Sequence, residues 1–409
     1  MPALRRSVRS WDKQQGVLTV KKVKLGVIGL GNMGSAHCKN IEGGHCPDVE
    51  LVAVADVKPE RLAWAEAELP EGIARFDSAD ALIESGVAEA ILIAVPHYQH
   101  PPIAIKAFEH GLHVLTEKPA GVYTKQVREM NEAADKSGCK FAIMWNWRAH
   151  PLFVKLKELL ADGKYGEIRR VNWLITLWYR SQAYYDSGDW RASWVGEGGG
   201  VLMNQCPHQL DLWQWLCGMP KTVSAKLLYG KWHDIEVEDD ATIVVEYENG
   251  ATGVFVSSTG DAHGTNRLEI LLDGAKIVAE KETLTVTEFA SSIDEFTYNA
   301  PASGELEKTE IVYQFEDEDF LHAKVLNAFA RSILYGEPMY ADGREGLREI
   351  TLANAAYLSD WLGKPIELPL DEDQYFSELQ KRIQTSKMRT ATTRDDGHVD
   401  HRSRWRVKW

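Results

Sequence analysis

Two ionisable side chains, Lys118 and His208, stand in sequences that restrict the backbone around them. Lys118 precedes Pro119, and a proline keeps the residue before it out of the helical region. A lysine fixed in this way can polarise a hydroxyl group and stabilise the alkoxide that develops as the proton leaves. Taken alone, the same lysine could equally be a surface residue of a loop.

His208 follows Pro207, and proline is favoured in the first turn of a helix. Near a helix N-terminus the dipole opposes a positive imidazole, so we expect His208 to be neutral and able to accept a proton. Asp211 shares its helical face by i, i+3 spacing. An ordinary core histidine beside a first-turn carboxylate is the alternative interpretation. In the catalytic interpretation, His208 accepts a proton and Lys118 stabilises negative charge, as the oxidation of a hydroxyl group requires.

A glycine-rich turn follows the first apolar run of the chain. Residues 23–28 are typical of a buried parallel strand, and Gly29, Gly31 and Gly34 follow with the spacing Gly-x-Gly-x-x-Gly. The three glycines would permit a sharp turn, the approach of a pyrophosphate and close packing of the next helix, respectively. The pattern predicts a phosphate-binding turn, against the alternative of a turn that binds no nucleotide.

A carboxylate ends the second predicted strand. Residues 49–55 are apolar and lead to Asp56, about twenty residues after Gly34, as a dinucleotide fingerprint requires. A carboxylate there accepts hydrogen bonds from the adenosine ribose and repels a 2′-phosphate, which favours NAD over NADP as cofactor. Lys58 and Arg61 lie close enough in sequence to weaken that exclusion.

Length and composition restrict the class of protein. A chain of 409 residues exceeds what one core usually serves, and its net charge of -14 disfavours nucleic acid as a partner. No apolar run reaches the length of a membrane span, so we expect no membrane partner. Five cysteines without Cys-x-x-Cys spacing predict neither disulfides nor a zinc site, and they favour the cytoplasm. His398 and His401, in a polar tail, lack the fixed geometry of a metal site.

The order of apolar and helical segments predicts an α/β fold. A doubly wound parallel sheet is expected in a dinucleotide-binding domain over residues 23–145. Longer alternating runs predict an open, mostly antiparallel sheet in a second α/β domain over residues 146–370. Residues 1–22 and 371–409 are interpreted as polar extensions.

The sequence resembles the Gfo/Idh/MocA family of NAD(P)-dependent oxidoreductases, which act mostly on sugars, inositols and their derivatives. The resemblance covers about Val23 to Leu370 and is carried by Gly29-x-Gly31-x-x-Gly34, Pro96 with His100, Gly111-x-His113-Val114-Leu115-x-Glu117-Lys118-Pro119, Arg148, Gly198-Gly199-Gly200, His208-x-x-Asp211 and the segment from Phe329 to Leu370. It implies a Rossmann domain, and a second domain whose sheet forms homodimers or homotetramers. It also implies that Lys118 and His208 are the catalytic pair.

The fingerprint and the resemblance together define the residues expected at the cofactor. They are Gly29, Gly31, Asn32, Met33, Gly34, Asp56, Pro96, His100, Glu117 and Lys118. No metal ligands are expected.

One position departs from the family pattern. The usual motif has an aspartate four residues before the histidine, whereas this chain has Asn204. An amide does not ionise, so Asn204 can bind substrate or orient a neighbour but cannot serve as a base. Proton transfer would then fall to His208.

Aromatic residues suggest the class of substrate. Eight of the fourteen tryptophans lie between Trp145 and Trp215, and aromatic rings combined with polar side chains suit a carbohydrate. The residues expected to bind this small molecule are Asn204, Asp211, Arg148, Arg191, Gln205, Trp147 and Tyr179.

The sequence therefore predicts an NAD-dependent oxidoreductase that oxidises a secondary hydroxyl of a sugar, glycoside or inositol. A redox-assisted glycosidase or lyase, which would oxidise a ring carbon, eliminate the aglycone and return the hydride, is the first alternative. A non-catalytic regulator that senses NAD and sugar on the same fold is the second. The presence of both Lys118 and His208 argues against the regulator.

Overall fold

Two β-sheets and the helices around them form the fold in a computed structural model of the chain. The structure describes residues 9–11, 18–316 and 318–392, so the tail histidines His398 and His401 lie outside it. A short antiparallel pair, β1 (Arg9–Trp11) and β2 (Leu18–Val20), precedes the first sheet. Within the described residues, no helix is both long and apolar enough to cross a membrane.

The first sheet is parallel throughout. Its strands are β3 (Val23–Ile28), β4 (Val49–Ala55), β5 (Ala74–Phe76), β6 (Ala90–Ile93), β7 (His113–Thr116) and β8 (Phe141–Ile143). The connecting helices are α1 (Asn32–Glu42), α2 (Pro59–Glu68), α3 (Ala79–Glu84), α4 (His100–Glu109) and α5 (Thr124–Ser137). The strand order β5-β4-β3-β6-β7-β8 reverses between β3 and β6. Ligands of doubly wound sheets bind at that point, beyond the carboxyl ends of the strands.

The second sheet is mixed and mostly antiparallel. It contains β9 (Ile168–Ile175), β10 (Thr222–Tyr229), β11 (Glu238–Glu246), β12 (Thr252–Ser258), β13 (Asn266–Leu272), β14 (Ala275–Glu280), β15 (Thr283–Phe289), β16 (Lys308–Gln314) and β17 (Ile366–Glu367). Their order is β16-β15-β14-β13-β9-β12-β11-β10-β17, with β9 and β12 paired in parallel. Buried residues alternate with more exposed ones along β13 and β14, because one face of the sheet packs on the core and the other does not.

The second half of the chain supplies the remaining helices. They are α6 (Pro151–Ala161), α7 (Gln182–Tyr185), α8 (Pro207–Cys217), α9 (Ile293–Asn299), α10 (Leu321–Tyr335), α11 (Gly346–Leu362) and α12 (Glu372–Thr385). Helix α10 packs on α1 and on strands β3 and β7 of the first sheet. Its apolar side chains, among them Leu326 and Phe329, join the core of the first sheet beside Leu25 and Leu92. The predicted second domain over residues 146–370 therefore contains one helix that belongs to the first.

The predicted polar extension after residue 370 contains an ordered helix, α12. The Asp371 side chain caps it by accepting a hydrogen bond from the Gln374 main-chain N–H at 2.9 Å. Tyr375 and Leu379 are fully buried, and the Tyr375 ring stacks on Trp361 with centroids 5.5 Å apart. These two residues lie one turn apart and dock the helix on the core. Because the rest of the segment is mostly polar, its sequence does not indicate a packed helix.

Candidate active site

The three glycines of the phosphate-binding turn meet different surroundings. Gly29 has φ +90°, and an added Cβ would lie 2.4 Å from the Ala94 carbonyl oxygen. A Cβ on Gly34 would lie 1.8 Å from the Gly29 carbonyl oxygen, because helix α1 packs directly on the turn. A Cβ on Gly31 would meet no atom of the described chain within 4 Å. The turn thus leaves open space at Gly31, beside the N-terminal residues Asn32 and Met33 of α1.

Asp56, just beyond β4, is fixed against this turn. Its Oδ2 accepts a hydrogen bond from the Leu30 main-chain N–H at 2.6 Å, and its Oδ1 accepts one from the Lys58 N–H at 2.9 Å. A carboxylate has lone pairs left for ribose hydroxyls after these two bonds. The Lys58 ammonium group lies 3.7 Å from Asp189. Its charge is therefore paired with a carboxylate other than Asp56.

Glu117 and His100 were expected at the cofactor, but the structure places both inside the protein. His100 is 1% exposed, with Nδ1 2.8 Å from the Pro119 carbonyl oxygen and Nε2 2.7 Å from the Val95 carbonyl oxygen. Glu117 is 5% exposed and lies 2.7 Å from His37 Nε2. Both side chains hold the loops after β6 and β7 in place, and their contact with the cofactor stays a prediction. Pro96 is exposed at the same edge of the sheet.

The charge of Glu117 matters to its neighbour in the chain. Burial raises the pKa of Glu117, but the hydrogen bond and charge of His37 outweigh it and bring the pKa to about 2. The carboxylate is thus ionised directly beside Lys118.

Lys118 connects the loop after β7 to the segment that precedes α8. Its Nζ donates a hydrogen bond to the Asn204 carbonyl oxygen at 2.7 Å. Burial lowers the pKa of Lys118, while the carboxylates of Glu117 and Glu197 oppose the shift. The hydrogen bond to the Asn204 main chain fixes the ammonium group at the edge of the first sheet.

His208 lies in the first turn of α8, directly after a π-helical turn over Val201–Gln205. The ring is 8% exposed and stands edge-on to Trp145, with centroids 5.6 Å apart. Burial, followed by the charge of Lys118, lowers the pKa of His208 well below its ordinary value. Burial rather than the helix dipole thus favours the neutral imidazole, which can accept a proton.

Glu197 orients the amide of Asn204, a contact that sequence reasoning missed. Asn204 Nδ2 donates a short hydrogen bond to a Glu197 carboxylate oxygen, and the other oxygen accepts from the Ala192 N–H at 2.6 Å. Since a carboxylate accepts hydrogen bonds, the amide nitrogen of Asn204 faces Glu197 and its Oδ1 is left as an acceptor. Asn204 can therefore accept a hydrogen bond as an aspartate would, but it carries no negative charge.

Aromatic and cationic side chains gather on the segment over residues 176–200, here called the substrate loop. The Tyr184 hydroxyl accepts hydrogen bonds from Arg191 Nη1 at 2.7 Å and from Gln205 Nε2 at 3.2 Å. The Arg191 guanidinium lies 4.5 Å from the Tyr184 ring centroid and 4.8 Å from that of Trp190. Tyr179 is 48% exposed, and its carbonyl oxygen accepts from Arg180.

Three residues expected to bind substrate are buried and have partners within the protein. Arg148 forms a two-pronged ion pair with Asp211, at 2.8 Å from Nε and 2.6 Å from Nη2, and both side chains are 1% exposed. Arg148 Nη1 also donates to Glu345 at 2.8 Å. Trp147 is 8% exposed and packs on His150 and Phe153. Their hydrogen-bonding groups and faces already have partners within the protein, and contact of these residues with substrate stays a prediction.

The ion pair between Arg148 and Asp211 makes a prediction about stability. Arg148→Ala leaves a buried carboxylate unpaired, so we expect the free energy of unfolding to fall by about 3–5 kcal/mol. Urea denaturation measures this, and the double variant Arg148→Met with Asp211→Leu should recover much of the loss. Unchanged stability with weaker substrate binding would instead support the substrate role.

The glycine turn makes a second prediction, in which two similar substitutions act differently. Gly34→Ala forces α1 away from the turn, so it should destabilise the fold by about 1–3 kcal/mol and abolish NAD binding. Gly31→Ala should keep the melting temperature and weaken NAD binding, since its Cβ enters the open space. Thermal unfolding and NAD titration measure both. If both variants lost the same stability, the space at Gly31 would not be open, and it could not hold the pyrophosphate.

Comparisons with known proteins agree with this geometry. Residues 23–144 match a family model described as "Oxidoreductase family, NAD-binding Rossmann fold", and residues 153–278 match one described as "GFO/IDH/MocA C-terminal domain". The chain is 26% identical over 354 residues to the uncharacterized oxidoreductase YrbE of Bacillus subtilis, covering 85% of this chain and 97% of that protein. It is 23% identical to inositol 2-dehydrogenase of Rhizobium meliloti, over 82% of this chain and 96% of that one.

A solved structure is similar as well. The WlbA dehydrogenase from Bordetella pertussis, in complex with NADH and UDP-GlcNAcA, superposes with a TM-score of 0.71 at 27% identity. The match covers 86% of this chain and 100% of WlbA. With a Rossmann domain for NAD, a mostly antiparallel second sheet and both family models in place, this chain belongs to the GFO/IDH/MocA family of oxidoreductases.

Proposed function

We propose that this oxidoreductase is an NAD-dependent dehydrogenase of a secondary hydroxyl group on a sugar or polyol. One observation carries the proposal: the Lys118 ammonium group is bonded to the main chain of Asn204, four residues before a neutral His208. A proton acceptor and a fixed positive charge are thereby brought to the edge of the NAD-binding sheet. Removing a proton from a carbinol while stabilising its oxygen requires this combination.

The residues around the glycine turn fit the cofactor. The open space at Gly31 lies beside the N-terminus of α1, which favours a pyrophosphate, and Asp56 stands where ribose hydroxyls are bound. NAD, when bound, supplies the hydride acceptor. Pairing of Lys58 with Asp189 leaves the charge of Asp56 uncompensated by that lysine, which supports NAD rather than NADP.

Each polar group then has one role. His208 takes the hydroxyl proton, and the Lys118 ammonium donates a hydrogen bond to the oxygen as negative charge develops on it. Asn204 Oδ1, oriented by Glu197, accepts a hydrogen bond from a neighbouring hydroxyl of the substrate. Glu117 keeps Lys118 charged and placed. The chain contributes position and electrostatics, and the hydride transfer takes place between substrate and cofactor.

The carbohydrate class is supported by the substrate loop and by the relatives. Arg191, Gln205 and Tyr184 form one hydrogen-bonded group next to the Trp190 ring, which suits a ligand with hydroxyl groups and C–H faces. One relative is an inositol 2-dehydrogenase, and another was crystallised with a sugar nucleotide. We therefore place the substrate among sugars, sugar derivatives and inositols.

We also propose a homodimer or homotetramer. The outer face of the second sheet exposes apolar side chains, with Leu174 41% exposed, Val244 43% and Val312 54%. Apolar residues on the open face of a sheet favour association with a second copy. Sedimentation equilibrium measures the state, and a monomer would contradict the proposal.

Activity against a panel of compounds tests the proposed reaction. Purified protein with NAD is incubated with free sugars, sugar acids, inositols and aryl glycosides, while reduced nicotinamide and product mass are followed. We expect NADH and oxidised product in equal amounts from at least one compound. Release of aglycone without accumulating NADH would replace the dehydrogenase by the redox-assisted glycosidase or lyase. Binding of NAD and sugar without any turnover would favour the regulator.

The pH dependence follows from the two shifted groups. Protonated His208 cannot accept a proton, so kcat/KM should fall as pH drops through its pKa, which burial places well below 6.5. Loss of charge on Lys118 should lower the rate on the alkaline side, at a pH below 10.5. His208→Asn should reduce kcat by roughly 100- to 10,000-fold and remove the acid limb. Lys125→Ala, at an exposed lysine, is the control, and an acid limb that survives in His208→Asn would rule out this base.

A further inference from the structure

The residues that follow α12 run along the substrate loop. This segment, Ser386 to Thr392, is here called the strap. The Val195 N–H donates to Ser386 Oγ at 3.1 Å, and the Arg389 N–H donates to the Asp189 carbonyl oxygen at 3.1 Å. The Thr392 N–H donates to the Asp186 carbonyl oxygen at 3.0 Å. As the residue number rises from 386 to 392 along the strap, the number of its partner in the loop falls from 195 to 186. The two segments therefore run antiparallel.

At one end, Ser386 shares a carboxylate with the loop. Its hydroxyl donates a short hydrogen bond to Glu236, and the same carboxylate accepts from the Trp194 main-chain N–H at 2.7 Å. The adjacent Val195 N–H is the one that Ser386 Oγ accepts. Two consecutive main-chain donors of the loop are thus satisfied by a strap residue and its partner.

At the other end, the Arg389 guanidinium joins two segments. Its Nη2 donates to Asp186 Oδ1 at 2.7 Å, and its Nη1 donates to the Asp234 carbonyl oxygen at 2.8 Å. Arg389 and Asp186 are each 24% exposed at the side chain. Partial burial and a charged donor make these bonds stronger than ordinary surface contacts.

The side chains proposed to meet the substrate lie between these two anchors or directly before the first of them in the chain. Arg191 and Trp190 fall between Asp189 and Trp194, and Tyr184 comes two residues before Asp186. The regular structure of this stretch is α7, a single turn of four residues. So short a helix cannot fix the loop by itself, because most of its main-chain groups have no partner within it. The strap supplies partners from outside the loop, in addition to Thr259, which accepts hydrogen bonds from the Arg180 N–H and the Tyr185 hydroxyl.

We propose that the strap is part of the substrate site, with Arg389 and Ser386 acting as positioning residues. By holding the loop at Asp186, Asp189 and Val195, they keep Arg191 and Tyr184 in the arrangement that binds substrate. Binding then costs less conformational entropy, since the loop is ordered before the ligand arrives. The inference rests on the proposed function for the identity of the ligand, and on the hydrogen bonds alone for the order of the loop.

Arg389→Ala in the full-length protein tests the proposal. We expect the KM for the sugar or polyol to rise roughly tenfold, with kcat and the Kd for NAD changed less than about twofold. Amide hydrogen exchange over residues 182–195 should become faster in the absence of substrate, a change that does not depend on knowing the ligand. Ser386→Ala should act in the same direction. Lys387→Ala removes an exposed cation from the same strap and is the matched control.

Two outcomes would overturn the inference. One is an Arg389→Ala variant with unchanged KM and unchanged exchange over residues 182–195. The other is a variant in which the melting temperature and NAD affinity fall together with substrate affinity, which would make Arg389 a general structural residue. Wild-type protein that oxidises nothing in the panel would refute the proposed function, while the exchange measurement would still decide the role of the strap.

Discussion

The hydrogen bond from Lys118 Nζ to the Asn204 carbonyl oxygen is the contact on which the candidate site depends. It joins the edge of the first sheet to the π-helical turn that leads into α8. Burial lowers the pKa of the Lys118 ammonium group, and the charges of Glu117 and Glu197 oppose that shift. Each carboxylate is in turn fixed, Glu117 by His37 and Glu197 by the Asn204 amide and a main-chain N–H. The positive charge of Lys118 therefore accounts for the hydrogen-bond acceptors that lie together at this edge of the sheet.

Behind this contact lies a second layer of charge that serves the fold. Arg148 and Asp211 pair in the core one helical turn beyond His208, and Glu345 extends the pair toward α11. The pair fixes the rotation of α8 about its axis and thereby the direction of its first turn. His208 needs no ionised partner of its own in this arrangement, because packing against Trp145 and the preceding turn sets its position.

Local sequence patterns predict much of this fold. The features that they miss depend on contacts between residues far apart in the chain. The strands predicted over residues 23–28 and 49–55 have those bounds in the structure, and the glycine turn follows from its spacing. The burial of Asp211 could not be predicted, because i, i+3 spacing shows that two side chains share a helical face without showing how deep in the protein that face lies. Glu197 and Arg389 act through partners brought close by tertiary structure, which no short motif records.

Helix α10 has a consequence for how the protein is made. It closes the core of the first sheet with residues 321–335, although the last strand of that sheet ends at Ile143. During synthesis, helix α10 can therefore cover the apolar face formed by Leu25 and Leu92 only after almost two hundred further residues have been made. The core of the NAD-binding sheet is therefore complete only after residues 321–335 have been made. The two sheets are separate in topology, but the first buries its core with a helix from the far end of the chain.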